Sequence, residues 1–169
     1  MSLRGDKKLE QYLIENFEWF HRHPELSYEE YETTERIRAV LTDAGIEILE
    51  YPLATGLVAV VRGRKESADG HCGVTALRCD IDALPIMEEA DVPYVSEYTG
   101  KMHACGHDFH ITAGIGAAIL LQERCEELCG TVKFIFQPAE EESHGAMRIL
   151  ESGAADDVER IWGFHGDPT

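Results

Sequence analysis

The segment from His103 to His110 reads His-Ala-Cys-Gly-His-Asp-Phe-His and concentrates side chains that bind metal ions. Cys105 and His107 are separated by one glycine, so in an extended segment both side chains would project to the same side, within reach of one metal ion or a pair. Thiolate and imidazole are the ligands that suit zinc and its neighbours. Taken alone, the pattern also fits a buried cysteine beside a loop histidine.

Two carboxylate clusters each follow an apolar stretch of the chain. Asp80 and Asp82 come after residues 74–77, and residues two apart in extended backbone point to the same side. Residues 140–142 are three consecutive glutamates after the stretch 131–136. Adjacent carboxylates repel one another, which favours cation binding or a proton-accepting role. In isolation, the aspartates also fit a capped turn and the glutamates a solvated acidic turn.

The pattern of apolar residues predicts an α/β domain that places these clusters at strand ends. Helices are expected at about 8–23, from Ser27 to about Ala44, at 111–128 and at 146–150. Strands are expected at 46–51, 57–61, 74–77, 131–136 and 160–164, and a polar loop is expected at 62–71.

Two local features accompany this prediction. Ser27 and Glu30 have the spacing of a capping box at the start of the second helix. Cys125 and Cys129 are four residues apart on a probable helix and are expected to share one of its faces, as core or surface thiols rather than metal ligands.

Open α/β sheets build their sites at strand ends, where all of these clusters are expected. His165 follows the last predicted strand; a single histidine there is usually structural, but it completes a set of thiol, imidazole and carboxylate groups. The set predicts a two-metal hydrolytic centre. Two close cations would lower the pKa of a bridging water and polarise an amide carbonyl. A carboxylate outside the metal shell could carry the proton from this water to the leaving nitrogen.

The composition argues against a nucleic-acid-binding protein, a membrane protein and a disulfide-rich secreted protein. The formal net charge of −17 argues against a nucleic-acid partner, which would need stripes of Lys and Arg. No stretch approaches about 18 apolar residues, so no membrane-spanning helix is predicted. The start MSLRGDKKLE lacks the apolar region of a secretory signal. With five cysteines, an odd number, a disulfide framework is not expected, and a cytoplasmic location is predicted.

Five stretches of the sequence resemble the M20 peptidase family, specifically its aminoacylase-like branch of N-acyl-amino-acid, hippurate and auxin-conjugate hydrolases. The stretches are WFHRHPELSYEE, ALRCDIDALPI, MHACGHDFHITAGIGAA, GTVKFIFQPAEE and IWGFH. The resemblance implies a layered α/β/α zinc-peptidase-like catalytic domain. It also implies metal-dependent hydrolysis of the amide bond of N-acyl amino acids by two divalent metal ions. Zinc is expected first, with manganese, cobalt and nickel as alternatives.

The resemblance further implies a role for individual residues. The residues that match the family's metal ligands are Cys105, His107, Glu141 and His165, with Cys105 as the bridge. Glu140 matches the general base and acid, and Asp82 matches the aspartate that orients a ligand imidazole. Asp80 stands where other branches of the family carry a histidine ligand, so its role stays open. The stretch His21–Pro24 is expected to be structural.

The chain departs from the family in length, because family members are more than twice as long. We therefore expect residues 1–169 to form part of a catalytic domain, without the inserted lid or dimerisation domain and without a late histidine ligand. Gly166 stands where a larger residue, often asparagine, is expected. The substrate is expected to be an N-acyl amino acid or a short peptide. The isolated chain is expected to be inactive, and a longer form is expected to dimerise through the missing domain.

Three alternatives stay open from the sequence. The first is a non-catalytic remnant of the same fold that binds a metal or a partner. The second is a structural zinc site formed by the same four ligands, although closed zinc sites are usually richer in cysteine. The third is dipeptidase activity within the same enzyme class.

Overall fold

Five strands form one mixed β-sheet in the computed structural model, which describes residues 6–67, 70 and 72–166. The strands are β1 (Glu47–Leu49), β2 (Leu57–Arg62), β3 (Val74–Asp80), β4 (Thr131–Gln137) and β5 (Arg160–Gly163). Their order in the sheet is β1-β2-β4-β3-β5. The β1–β2 and β2–β4 pairs are antiparallel, whereas β3 runs parallel to both β4 and β5. The expectations for residues 1–5, and for residues 68, 69 and 71 of the polar loop, lie outside the described residues.

Helices cover both faces of the sheet, which gives the predicted α/β/α layering. The helices are α1 (Asp6–Arg22), α2 (Tyr31–Asp43), α3 (His107–Glu123) and α4 (Gly145–Glu151). The main core lies between the first three helices and the sheet, and a smaller core under α4 is built around Val58, Ile135 and Ile149. None of the helices in the described ranges combines the length and the apolar composition that spanning a membrane requires.

Side-chain alternation explains why β2 lies between two layers. Leu57, Ala59 and Val61 belong to the main core, whereas Val58 belongs to the core under α4. Successive side chains of a strand point to opposite faces, so a strand with helices on both sides is apolar throughout. In a sequence where strands alternate with helices, a short continuous apolar run therefore indicates a central strand.

Helix α3 begins earlier and ends earlier than the apolar pattern predicts. Gly106 has a φ of 84° and turns the chain directly into a helix that starts at His107, four residues before the predicted start at position 111. The first helical turn is polar yet buried, which hides it from a search for apolar periodicity. The predicted extended path from Cys105 to His107 is accordingly wrong.

The predicted shared helix face of Cys125 and Cys129 is also wrong. Helix α3 ends at Glu123, and the chain then forms turns, including a hydrogen bond from the Leu128 N–H to the Cys125 carbonyl. Cys125 is buried in the main core, whereas Cys129 is exposed. The residues after Glu123 are still of types that favour helices, which is why the predicted helix is too long. In the structure they form turns that lead the chain to the start of β4.

The predicted capping box of α2 is not formed. Glu30 makes no side-chain cap hydrogen bond, and the helix begins at Tyr31. The carboxylate of Glu25 instead accepts hydrogen bonds from the backbone N–H groups of Glu32 and Thr33. The Ser27 hydroxyl donates to Asp82 at 2.6 Å. Both residues of the expected box therefore hold more distant parts of the chain.

The parallel pair of β3 and β4 determines where the polar clusters meet. Their register pairs Val74 with Thr131 at one end and Asp80 with Gln137 at the other. Because the strands are parallel, their carboxyl ends lie at the same edge of the sheet. The residues that follow Asp80 and Gln137 must therefore emerge side by side.

Helix α3 packs closely against β3, and this contact predicts different effects of alanine at two helical glycines. A Cβ atom at Gly114 would lie 2.5 Å from the Sγ atom of buried Cys79, whereas one at Gly116 would meet a flexible methyl group of Leu13 at 2.9 Å. Alanine gains about 1 kcal/mol of helix propensity over glycine, but overpacking costs about 1–3 kcal/mol. We expect Gly114→Ala to lower the free energy of unfolding and Gly116→Ala to change it little or raise it. Denaturant unfolding of both variants checks this, and an equal effect at the two positions would contradict it.

Candidate metal centre

His107 lies fully buried at the centre of the polar clusters. Its Nδ1 atom lies 2.8 Å from the carbonyl oxygen of Asp82 and 3.3 Å from the Oδ1 atom of the same residue. The opposite nitrogen, Nε2, faces carboxylate oxygens of Asp80, Glu140 and Glu141 at 3.7–3.8 Å. Since a carbonyl oxygen can only accept, Nδ1 carries a proton and donates it. In the neutral ring the Nε2 lone pair is then available to a cation, as in metal-binding histidines.

Cys105 and His165 complete the surroundings of His107. The Sγ atom of Cys105 lies 3.2 Å from Nε2 of His165. Donor atoms of Cys105, His107 and His165 all lie within 4.8 Å of one another, and so do those of His107, Glu140 and Glu141. The four predicted ligands, Cys105, His107, Glu141 and His165, thus meet around one imidazole. They come from the loop before α3, from α3 itself, and from the segments after β4 and β5.

Asp82 contacts both His107 and the turn that carries Glu141. Its Oδ2 atom accepts hydrogen bonds from the Ser27 hydroxyl at 2.6 Å and from the Glu141 N–H at 3.0 Å. Burial by itself disfavours the charged form, but the adjacent His107 ring and the hydrogen bonds from Ser27 and the Glu141 backbone together outweigh it and lower the pKa of Asp82 to about 2. Asp82 is therefore a fixed negative charge that orients both His107 and the turn that carries Glu141.

Asp80 is already occupied by protein partners. Its Oδ2 atom accepts a hydrogen bond from Arg78 at 2.5 Å, and its Oδ1 atom lies 2.6 Å from Nδ1 of His110. The other ring nitrogen of His110 accepts a hydrogen bond from the Gly166 N–H at 2.9 Å. His110 thus ties the last residue of β3 to the segment that carries His165. No role was predicted for His110, although it lies one helical turn after His107 and so shares its face.

The negative surroundings keep the Cys105 thiol protonated when no cation is present. Burial and the nearby carboxylates of Glu141, Glu140 and Asp80 raise the pKa of Cys105 to about 11. A coordinating metal ion reverses this effect because it stabilises the thiolate directly. A thiol among carboxylates is therefore chemically suited to a site that holds cations.

Buried polar atoms that have no hydrogen-bond partner show whether these residues fit a metal ion. Among the described residues, Nε2 of His107, Oε1 of Glu141 and Oδ1 of Asp82 are buried and make no hydrogen bond. A buried polar atom without a partner costs about 1–3 kcal/mol. Two of these three atoms face each other, at 3.8 Å between Nε2 and Oε1. Nitrogen, sulfur and carboxylate donors of this kind suit zinc and neighbouring divalent ions, so the residues fit a metal centre.

Glu30 supports the turn that presents Glu140 and Glu141. Its fully buried carboxylate accepts hydrogen bonds from the Ala139 N–H at 2.7 Å and from the Thr55 hydroxyl at 2.8 Å. Ala139 has a φ of 49°, which is unusual for a residue other than glycine. Burial raises the pKa of Glu30, and the hydrogen bonds reduce that rise. A residue expected to cap a helix instead holds a strained turn, 109 residues away, at the site.

A second polar cluster lies next to the centre. His21 contacts Asp108 at 2.6 Å through Nδ1 and Glu88 at 2.9 Å through Nε2, which fits its expected structural role. His103 is buried without a hydrogen-bond partner among the described residues, and burial lowers its pKa to about 4. Both histidines line a largely apolar cavity of about 490 Å³ that also reaches Cys105. The cavity gives a small apolar group access to the metal-binding donors.

The fold is a layered α/β/α domain with a candidate metal centre at one edge of its sheet, and comparison with known proteins assigns the family. Residues 76–169 match the model of peptidase family M20/M25/M40. The chain belongs to this family, which confirms the resemblance seen in the sequence.

Two curated relatives are similar over most of this chain. An N-acetylcysteine deacetylase of Bacillus subtilis is 49% identical over 165 residues, which cover 97% of this chain and 42% of the relative. An IAA-amino acid hydrolase of Arabidopsis thaliana is 47% identical over 146 residues, which cover 86% of this chain and 32% of the relative. The chain therefore spans less than half the length of these relatives.

A solved structure has the same architecture. It is a dinuclear metal-binding peptidase of the M20 family from Bacillus subtilis, with a TM-score of 0.92 and 48% identity. The match covers 97% of this chain and 45% of that one. The predicted α/β fold of an M20 catalytic domain is thereby confirmed. The dinuclear neighbour and the clustered donors also support the expected pair of metal ions.

Removing the Glu30 carboxylate should destabilise the protein more than neutralising it. Glu30→Ala leaves the Ala139 N–H and the Thr55 hydroxyl without their acceptor, which should lower the free energy of unfolding by about 2–4 kcal/mol. Glu30→Gln should cost less, because the amide oxygen can still accept from Ala139. Denaturant unfolding of the two variants measures the difference. Equal stability of Glu30→Ala and the unchanged chain would exclude the proposed support of the turn.

His21 should make the stability of the chain depend on pH in a defined direction. Its hydrogen bond to Asp108, and a second to Glu88, raise the pKa of His21 against the opposing effect of burial. Only the imidazolium can donate to both carboxylates. The stabilisation is therefore complete below the unfolded-state pKa of about 6.5 and is lost as pH rises through the folded-state pKa.

The measurement compares the unfolding free energies of the chain and of His21→Gln, in the presence of a chelator, at about pH 5.5 and about pH 9. The difference should be larger at the lower pH. The contributions of the other histidines to the pH dependence cancel in this difference, because both proteins carry them. A difference that is constant or grows with pH would show that His21 is not held as an imidazolium.

Proposed function

We propose that residues 1–169 form part of the catalytic domain of a two-metal amidohydrolase that cleaves the amide bond of N-acyl amino acids. The observation that carries the proposal is the pair of buried, unpartnered donors, Nε2 of His107 and Oε1 of Glu141, beside the Cys105 thiol. Such atoms are unfavourable unless a cation binds between them. Because the chain spans less than half of its relatives, activity is proposed for the longer protein rather than for this chain alone.

In this proposal Cys105, His107, Glu141 and His165 would hold the metal ions, and Cys105 would serve both of them. Zinc is the ion we propose, and manganese, cobalt and nickel are compatible with the same donors. When bound, the ions supply Lewis-acid chemistry that lowers the pKa of water and polarises the amide carbonyl. The backbone carbonyl of Asp82 accepts from Nδ1 of His107 and so keeps the ring in the tautomer that leaves Nε2 available, as the outer partner of a ligand histidine does.

Glu140 is the proposed general base and acid. Its carboxylate lies beside that of Glu141, is partly exposed, and approaches Nε2 of His107 at 3.8 Å. The proton of the attacking water passes to Glu140 as the water oxygen bonds to the acyl carbon. Glu140 then delivers this proton to the nitrogen as the carbon–nitrogen bond breaks. The products are a carboxylic acid and the free amine of the amino acid.

The substrate class is supported by the names of the relatives. One is named for the deacetylation of N-acetylcysteine and the other for the hydrolysis of an amino acid conjugate. Both names describe an acyl group joined to an amino acid through an amide, and a short peptide has the same bond. We propose this class without assigning the acyl group. Dimerisation through a further domain, and a cytoplasmic location, stay predictions.

The competing interpretation is a remnant of the fold that binds metal but does not catalyse. Both interpretations predict metal binding by the four ligands, so metal content does not separate them. Turnover by the full-length protein does. A protein that holds two ions at these residues and hydrolyses no N-acyl amino acid or dipeptide would be such a remnant.

Substitution of each of the three consecutive glutamates should separate their roles. Glu140→Gln should retain metal but lower kcat of the full-length protein by about 100-fold or more, because the general base is lost. Glu141→Gln should lose metal together with activity. Glu142 is exposed, and Glu142→Gln is the matched control that should change neither.

Metal content after dialysis and the rate of N-acetyl-amino-acid hydrolysis measure these effects. Nearly unchanged turnover by Glu140→Gln would contradict its assignment as the base. Two tightly held metals in Glu141→Gln would contradict its assignment as a ligand.

A further inference from the structure

Two exposed cysteines meet at the end of the sheet opposite the metal centre. Cys72 lies two residues before the start of β3, and Cys129 lies two residues before the start of β4. Their Sγ atoms are 2.9 Å apart. Neither residue belongs to the predicted metal ligands, and the sequence did not indicate that they would be neighbours.

The parallel register explains the contact. Val74 pairs with Thr131, so residues two positions earlier in each strand segment fall opposite each other, and neighbouring strands lie about 4.8 Å apart. The Thr131 N–H donates to the Gly73 carbonyl at 3.0 Å, which extends the pairing beyond the strands.

Glycine at position 130 permits this close approach. Gly130 has a φ of 88°, and a Cβ atom there would lie 2.5 Å from the Gly73 carbonyl oxygen. The backbone next to both cysteines is therefore held together by the sheet itself, and the contact does not depend on chance orientation of two flexible loops.

We propose that Cys72 and Cys129 are a site of covalent modification, at which they form an intrachain disulfide. Paired backbone at the spacing of neighbouring strands suits a disulfide, in which the Cα atoms are about 4.4–6.8 Å apart. The two sulfurs need to approach by only about 1 Å to reach bonding distance. Both thiols are exposed, so a small oxidant can reach them.

The reaction with a small-molecule disulfide such as oxidised glutathione is balanced. One cysteine thiolate attacks a sulfur of the reagent and forms a mixed disulfide, with release of one glutathione thiol. The second cysteine attacks the protein sulfur of the mixed disulfide and displaces the second glutathione thiol. Two protein thiols are oxidised by two electrons, and one reagent disulfide is reduced to two thiols.

The cross-link would brace the strands that carry the metal centre without touching it. The two cysteines are 57 residues apart in sequence, and the closed loop contains Asp82, Cys105 and His107. Closing a loop of this size restricts the unfolded chain and so stabilises the folded one. The strand from Cys72 to Asp80 extends about 25 Å at 3.3 Å per residue, so the bond forms far from the proposed ligands.

The test treats the 169-residue chain with oxidised glutathione, unfolds it in the presence of an alkylating reagent and maps its peptides without reduction. We expect the loss of two hydrogen atoms, one cross-linked peptide pair containing Cys72 and Cys129, and alkylation of Cys79, Cys105 and Cys125. Thermal unfolding should show a Tm raised by roughly 5–10 °C, reversed by a reductant. Cys72→Ser and Cys129→Ser should each abolish both effects, whereas Cys105→Ser should retain them.

Several results would overturn the proposal. These are glutathione adducts on either cysteine without a cross-link, a disulfide between two copies of the chain, and a cross-link that uses Cys105. A Cys72–Cys129 bond that leaves Tm unchanged would overturn the proposed bracing of the strands.

Discussion

Four carboxylates surround one buried imidazole, and much of the structure serves to hold them there against their mutual repulsion. The residues concerned are Asp80, Asp82, Glu140 and Glu141 around His107. Like charges at such distances in a poorly solvated site repel by several kcal/mol. Arg78 and His110 compensate for the charge of Asp80, and Ser27 with backbone N–H groups compensates for that of Asp82. Among the residues that the structure describes, Glu140 and Glu141 have no compensation of this kind, and a cation would supply it.

The sheet topology makes this concentration of charge feasible. Parallel pairing of β3 and β4 brings their carboxyl ends together, and the polar start of α3 closes over them. A positive-φ turn at Ala139, held by Glu30, directs the two glutamates back towards His107. The site is thus assembled from segments that are each unfavourable in isolation: a strained turn, a polar helix start and a buried imidazole. Their cost is offset by the cores on both faces of the sheet.

The sequence was informative wherever a residue's chemistry and its immediate neighbours determined its role. The strands, the layered fold and the gathering of Cys105, His107, Glu141 and His165 follow from apolar stretches that end in metal-binding side chains. The start of α3 could not be found in this way, because its first turn is buried through polar contacts rather than apolar ones. Glu30 and His110 were missed for a related reason: their partners are distant in the chain, and no local pattern reveals such hydrogen bonds.

The residues of the candidate metal centre are far apart in sequence, and this separation limits when the centre can assemble. Asp82 and Glu141 are 59 residues apart, and Glu30 is 109 residues from the Ala139 N–H that it holds. Contacts between such distant residues carry a large loop-closure entropy, because a long segment of the chain must be confined before they can be made. During synthesis the ribosome releases Asp82 well before Glu141 can join it. An ion that arrives before Glu141 is released would meet only Cys105, His107 or scattered carboxylates, so the four proposed ligands can surround an ion only after both halves of this segment have been synthesised.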